Sequence, residues 1–150
     1  MFWLEEGLPQ SLRPGSRPRT TLSPSLAWTE NGDALVFGTP GGDQQDQWQL
    51  IFLLRYLNGV DNLQEVIDMP LFHSMHFNSS FYPRNAQPGH VMLEPNIPKE
   101  IIDILSGKGH EVETSSAWAI GRLTAARRSA NGILRGGATP RLMQAYVVGR

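Results

Sequence analysis

Two of the three Asn-Gly dipeptides, Asn31-Gly32 and Asn131-Gly132, constrain this chain more than any other feature. Asn-Gly suits a tight type I′ turn, because both central positions tolerate positive φ, and such a turn ties two neighbouring strands together antiparallel. The first dipeptide predicts a β-hairpin from residues 25–30 and 33–37. The second predicts another, from residues 119–129 and 133–135. Strands are also expected over residues 111–115 and 144–148.

Helices fill the interval between the hairpins. After Gly38-Thr39-Pro40-Gly41-Gly42, residues 43–57 carry Trp48, Ile51, Phe52 and Leu54 at helical spacing, predicting a largely buried helix. A short helix over residues 62–68 has Asp61 as its expected N-cap and Pro70 as its stop. Pro98 suits the first turn of a third helix, with Ile101, Ile102 and Leu105 turned inward and Gly107 and Gly109 at its end. Ahead of all these, residues 1–24 form a loop stiffened by Pro9, Pro14, Pro18 and Pro24. Runs of strands with a few helices outside them indicate an α+β layered domain more than a βαβ repeat.

Composition bears on partners. A net charge of −1 gives no basic surface for nucleic acid or anionic lipid. The chain lacks cysteine and any run of about 18 apolar residues, so it offers no thiolate chemistry and no membrane-spanning helix. Localisation stays open.

Several residues could carry chemistry. Gly41-Gly42 at a helix N-terminus lets backbone N–H groups approach a negatively charged ligand, although the glycines taken alone favour a plain strand-to-helix turn. A Walker loop does not fit, since Asp43-Gln44-Gln45 follow the glycines. Residues 17–24, Arg-Pro-Arg-Thr-Thr-Leu-Ser-Pro, place hydroxyls and guanidiniums on a stiff loop that could meet a polar substrate. Ser23 lacks a nucleophile elbow. His73 and His76 lack a third metal ligand and read as structural. His110 suits a helix C-terminus. Arg127-Arg128 reads as a solvated strand face.

The order of these segments resembles the small subunit of the γ-glutamyltransferases and related acylases. Arg17-Pro18-x-Thr20-Thr21-Leu22-Ser23-Pro24 is similar to the family's Arg-Pro-x-Ser-Ser-Met-Ser-Pro, and Gly38-Thr39-Pro40-Gly41-Gly42 to its Gly-Ser-Pro-Gly-Gly. Pro70-Leu71-Phe72-His73 resembles Pro-Arg-Phe-His. Glu94, Lys108-Gly109-His110-x-Val112 and Ala138-Thr139-Pro140-Arg141 follow in the family's order.

The resemblance implies an N-terminal-nucleophile hydrolase of αββα sandwich type, incomplete in this chain, that acts on a small-molecule amide and needs no cofactor or metal. A precursor of this kind cuts itself to expose a threonine, whose hydroxyl attacks an amide carbonyl while its own α-amine serves as base. That threonine is expected upstream of Met1, in the remainder of the precursor, so residues 1–150 are expected to be a C-terminal segment that is inactive alone and able to self-associate. A degenerate homologue acting as a binding module is the alternative. Carried over by residue, the oxyanion hole falls on Gly41 and Gly42, and binding of the donor's α-carboxylate on Thr20 and Thr21. Trp3 stands where the family's Met-Asp-Asp-Phe segment has the aspartate that binds the donor's α-ammonium, a role an indole cannot fill.

Overall fold

The computed structural model describes residues 1–149. Strands β1 (Ser25–Trp28) and β2 (Ala34–Gly38) form the first hairpin, and β6 (Thr124–Arg128) and β7 (Leu134–Ala138) form the second. Between them run α1 (Gln45–Leu57), α2 (Leu63–Asp68), β3 (Phe72–Ser74), β4 (His90–Leu93), α3 (Lys99–Gly107) and β5 (Glu111–Thr114). The hairpins join edge to edge, Val36 opposite Ala126, into an antiparallel sheet ordered β1-β2-β6-β7.

Both hairpins use a turn different from the expected one. Thr29 N–H donates to Asp33 O at 3.0 Å and Gly32 N–H to Thr29 O at 3.0 Å; Ser129 with Ile133, and Gly132 with Ser129, repeat this at 2.8 Å. Only Gly32 (φ +84°) and Gly132 (φ +86°) are left-handed, while Asn31 and Asn131 are not. Each is thus a three-residue loop with a glycine bulge, not a two-residue type I′ turn.

Residues alternate across the main sheet. Leu35, Phe37 and Ala125 on one face pack with Trp48 and Phe52 of α1, Leu63, Val66 and Ile67 of α2, and Leu71, Ile120 and Leu123. The opposite face carries Leu26, Trp28, Val36 and Leu134, which are 51%, 71%, 47% and 75% exposed. The same alternation corrects the reading of Arg127-Arg128. Adjacent strand residues face opposite sides, so Arg128 is exposed but Arg127 is buried, with Nη1 bonded to Tyr56 Oη at 2.9 Å and paired to Asp61. Asp61 is therefore an ion-pair partner rather than a helix cap. Asn62 caps α2 instead, its Oδ1 accepting from Gln64 N and Glu65 N.

Three more expectations change. Helix α1 is only half covered, with Leu50, Leu54 and Leu57 exposed. On α3, Ile102 and Leu105 are half-buried while Ile101 and Ile104 face solvent, and Pro98 is the cap residue ahead of Lys99. Residues 144–148 are not a strand, because β7 ends the sheet and only Val147 bends back over Gly136. A second sheet, β3-β4-β5, was only partly foreseen. Strands β4 and β5 run parallel, with α3 between them in sequence, so the chain contains one βαβ unit.

Candidate functional site

Residues 38–45 set the centre of the candidate site. Gly41 adopts φ +143° and Gly42 φ +63°, and both conformations are rarely open to residues with a Cβ. A Cβ on Gly41 would lie 2.1 Å from Cζ3 of the buried Trp48, and one on Gly42 would lie 2.9 Å from Cε2 of Phe81. Glycine at position 41 is thus required by packing as well as by conformation. A 3-10 turn over Gly42–Gln44 leads into α1, so the backbone amides of this segment open a helix, where negative charge is favoured.

Gln45, at the first position of α1, is buried and binds three segments together. With the amide orientation that satisfies all its neighbours, its nitrogen donates to Thr21 O and Thr39 O at 3.0 Å each, and its oxygen accepts from Gly42 N at 3.2 Å. The hydroxyl loop of residues 17–24 is thereby fixed beside the glycines. Gln49, one turn on, extends this tie by donating to Ser23 Oγ at 2.7 Å and accepting from Ser25 Oγ at 2.7 Å. Thr20 is exposed and Thr21 half-buried; Thr20 Oγ1 accepts from Leu22 N at 3.1 Å, which leaves its own proton available. The Gly41 N–H makes no hydrogen bond among the described residues, whereas the Gly42 N–H is turned to Gln45.

Trp3 belongs to the same neighbourhood. Met1 N lies within hydrogen-bonding reach of Arg19 O, next to Thr20, and Trp3 exchanges backbone hydrogen bonds with Gln10 O (2.8 Å) and Leu12 N (2.9 Å). The loop of residues 77–87, which sequence reasoning passed over, closes the group. Its Ser80 N donates to Asp43 Oδ2 at 2.7 Å and Ser80 Oγ also bonds Asp43. Phe81 meets Gly42, and the Arg84 guanidinium lies 4.0 Å from the Trp3 ring centroid. The signal available in sequence was Asp43 itself: a carboxylate at a helix start needs donors, and Ser79-Ser80 supplies them.

The remaining candidates lie elsewhere. His73 is buried edge-on to Trp48, ring centroids 5.5 Å apart, and burial with the nearby His90 holds its pKa below the usual histidine range. His76 Nδ1 accepts from Gly89 N at 3.1 Å, and His110 Nδ1 lies 3.2 Å from Gly89 O. Among the described residues no three His, Asp or Glu side chains converge as metal ligands. Glu94 and Arg141 pair in the core.

These elements recur in known proteins. The gamma-glutamyltranspeptidase family profile matches residues 1–148. Oxamate amidohydrolase proenzyme of Klebsiella pneumoniae is 35% identical over 134 residues, which are 87% of this chain and 24% of that protein. The solved structure of LmbA2991HD superposes with a TM-score of 0.92 at 50% identity over 100% of this chain and 27% of its own. The gamma-glutamyltranspeptidase from Pseudomonas nitroreducens complexed with L-DON shares the fold, with a TM-score of 0.72 at 20% identity over 96% of this chain and 70% of that one. The chain thus spans about a quarter of the length of the first two of these relatives. With nearly every residue inside the profile and the mixed helix-and-sheet fold shared throughout, the chain belongs to the gamma-glutamyltranspeptidase family.

Proposed function

We propose that this chain is the C-terminal, substrate-pocket part of an N-terminal-nucleophile amidohydrolase or acyltransferase made as a longer precursor. The observation that carries the reading is the three-way bond network of Gln45, which brings the Thr20-Thr21 loop, Thr39 and the Gly41-Gly42 backbone to one place. An upstream threonine hydroxyl attacks the amide carbonyl, and its α-amine accepts the proton. The tetrahedral oxyanion then meets the unengaged N–H of Gly41, and that of Gly42 by sharing it with Gln45, a contribution typically worth about 10² to 10³ in rate per donor. Collapse expels the amine with that proton, and water or an acceptor amine resolves the acyl-enzyme. The exposed apolar face with Leu26, Trp28, Val36 and Leu134 is where the second sheet of an αββα sandwich, supplied by the rest of the precursor, packs.

The donor is a dicarboxylic monoamide without an α-amine. Thr20 and Thr21 offer hydroxyls to a carboxylate, while Trp3 offers an ammonium no negative charge and has a ring face already taken by Arg84. That oxamate, the smallest such monoamide, names the substrate of a relative at 35% identity supports this choice. The test is expression of the chain with and without the preceding part of its precursor, assayed on glutaryl and γ-glutamyl anilides, with mass spectrometry to detect a newly exposed threonine. Turnover is expected only when both parts are present. Turnover by the chain alone that a substitution within it abolishes would overturn the assignment of the nucleophile. A precursor that neither cuts itself nor turns over any amide would make the chain a binding module.

A further inference from the structure

Arg84 is the side chain that the reaction above leaves unused. It is half-buried, and no carboxylate pairs with it among the described residues. Nη1 donates to Ser80 O at 2.9 Å and Nη2 to Phe2 O at 2.7 Å, while Nε–H has no protein acceptor. The guanidinium plane rests on the Trp3 ring, 4.0 Å from its centroid. The backbone is equally committed. Arg84 has φ +65°, uncommon for a residue with a Cβ, and its N–H donates to Phe81 O at 2.7 Å. Held from both ends, the guanidinium lines a cleft of about 410 Å³ whose other walls include Phe2, Trp3, Phe81 and Tyr82. Glu5 stands exposed on the rim without pairing to it, and the neighbouring Arg19 is 3.7 Å from Asp43. Phe81, in the same cleft, lies over Gly42, within 2.9 Å of where a Cβ on that residue would sit.

We propose that Arg84 is a specificity-determining residue that receives the carboxylate of a small amide bound between Trp3 and Phe81. The assignment rests on the proposed amide chemistry for its substrate, though the cleft's preference for an anion does not depend on catalysis. Threonine hydroxyls can hydrogen-bond a carboxylate but cannot neutralise it. A guanidinium with open N–H groups, prearranged on an indole and partly shielded from water, supplies that charge at little ordering cost. Arg84 is a binding residue in this scheme and takes no part in bond making.

The test compares glutaramate with glutaramide, an uncharged analogue of nearly the same shape, binding to the full 150-residue chain by titration calorimetry. A preference for glutaramate of roughly 10- to 100-fold is expected, the range for hydrogen bonds to charged groups. It should fall to the small part that the threonine hydroxyls supply in Arg84→Gln, return in part in Arg84→Lys, and shrink with added salt. Thermal melts of each variant separate loss of binding from loss of fold, and Arg84→Lys retains the charge if Arg84→Gln melts early. Equal binding of the two probes by the unaltered chain, or an Arg84→Gln preference equal to the original, would overturn the proposal. In the precursor, a glutaryl-anilide preference over the neutral carboxamide analogue that Arg84→Gln leaves unchanged would remove Arg84 and leave the amidase reading standing. A precursor without any amide turnover would remove that reading, while the calorimetry still decides Arg84.

Discussion

Glu94 and Arg141, 47 positions apart, meet in a two-point ion pair inside the core, Nε to Oε1 at 2.8 Å and Nη2 to Oε2 at 2.5 Å, with 3% and 1% of their surfaces exposed. Most of the pair's other hydrogen-bonding positions are filled as well. Arg141 also donates to Ile67 O and Met69 O, and Glu94 accepts from Leu71 N and Ile120 N. The pair thereby joins the end of α2, the end of β4, the approach to β6 and the segment after β7. Removing one partner leaves a buried charge without compensation, which typically costs about 3 to 5 kcal/mol. Arg141→Ala should therefore lower the unfolding free energy by about that amount or abolish folding. The double variant Glu94→Leu with Arg141→Met should recover much of the loss. Chemical denaturation of the three proteins checks both statements.

The same pair sets an acid limit. Burial opposes ionisation of Glu94, but the Arg141 hydrogen bonds and the Leu71 and Ile120 amides outweigh it and hold the carboxyl below the usual glutamate range. A carboxyl with a depressed native pKa stabilises the fold above its unfolded value, about 4.3, and that contribution is lost as pH falls through the native value. His73 acts at milder pH. Its depressed native pKa means that the unfolded chain takes up the proton first, so stability declines as pH drops below about 6.5. The melting temperature should fall in two stages on acidification, and His73→Phe should remove the first. A flat profile between pH 7 and 5, on the order of the histidine range, would contradict the account of His73.

How much of this was legible in the sequence differs by element. The hairpins, α1, α2, α3 and β5 could be read because turn glycines, caps and apolar spacing are local signals. Strand β3, three residues long, and β4, with His90 at its start, have too little alternation to announce themselves. The burial of Arg127 follows from strand alternation once its register is known, but the partner that permits it, Asp61, is distant in sequence. At the candidate site, Gly41, Gly42, Thr20, Thr21 and Trp3 were picked out by motif order. Gln45 and Arg84 were not, because their roles consist of contacts with residues distant in sequence, Thr21 for Gln45 and Phe2 and Trp3 for Arg84, and no spacing rule encodes those.

The uncovered sheet face should make the isolated chain associate. Leu26, Trp28, Val36 and Leu134 lie on one side of four joined strands, and contiguous apolar surface of this kind seeks a partner. Val36→Lys with Leu134→Lys should shift the chain toward monomer in analytical ultracentrifugation and reduce binding of an apolar dye. In the precursor the same pair should impair assembly. A strictly monomeric, dye-negative chain would show that the face needs no cover.

Gly41 and Gly42 should differ in their tolerance of alanine. At Gly41 the added Cβ meets the Trp48 ring at 2.1 Å, and that ring is buried in the core, 7% exposed. Overpacking of that kind costs about 1 to 3 kcal/mol, on top of the strained φ. At Gly42 the obstacle is Phe81, which is 51% exposed and can swing away, leaving mainly the left-handed penalty of about 1 to 2 kcal/mol. Gly41→Ala should therefore melt well below Gly42→Ala. In the precursor, Gly42→Ala should lower kcat while the fold is retained, because shifting this backbone displaces an oxyanion donor. Equal melting temperatures for the two variants would show that Trp48 yields more easily than its burial suggests.

Trp3 offers the sharpest discrimination of substrate. A free α-ammonium placed against an indole and the Arg84 guanidinium gains no ion pair and meets a like charge, and an unpaired buried ammonium costs several kcal/mol. The precursor should therefore turn over glutaryl amides with a higher kcat/KM than the matching γ-glutamyl amides. Trp3→Asp supplies the missing carboxylate, but it also places it beneath Arg84, where the two charges pair. The substitution should thus act twice, weakening the hold on the glutaryl carboxylate and easing the repulsion of the ammonium. The ratio of the two kcat/KM values should move toward the γ-glutamyl donor by roughly 10-fold or more, as expected for about 1.4 kcal/mol of differential binding. Combining Trp3→Asp with Arg84→Gln should shift it further, since the new aspartate is then free for the ammonium. If the unaltered precursor already prefers γ-glutamyl amides, Trp3 does not occupy the ammonium position, and the donor's amine is held by residues outside this chain.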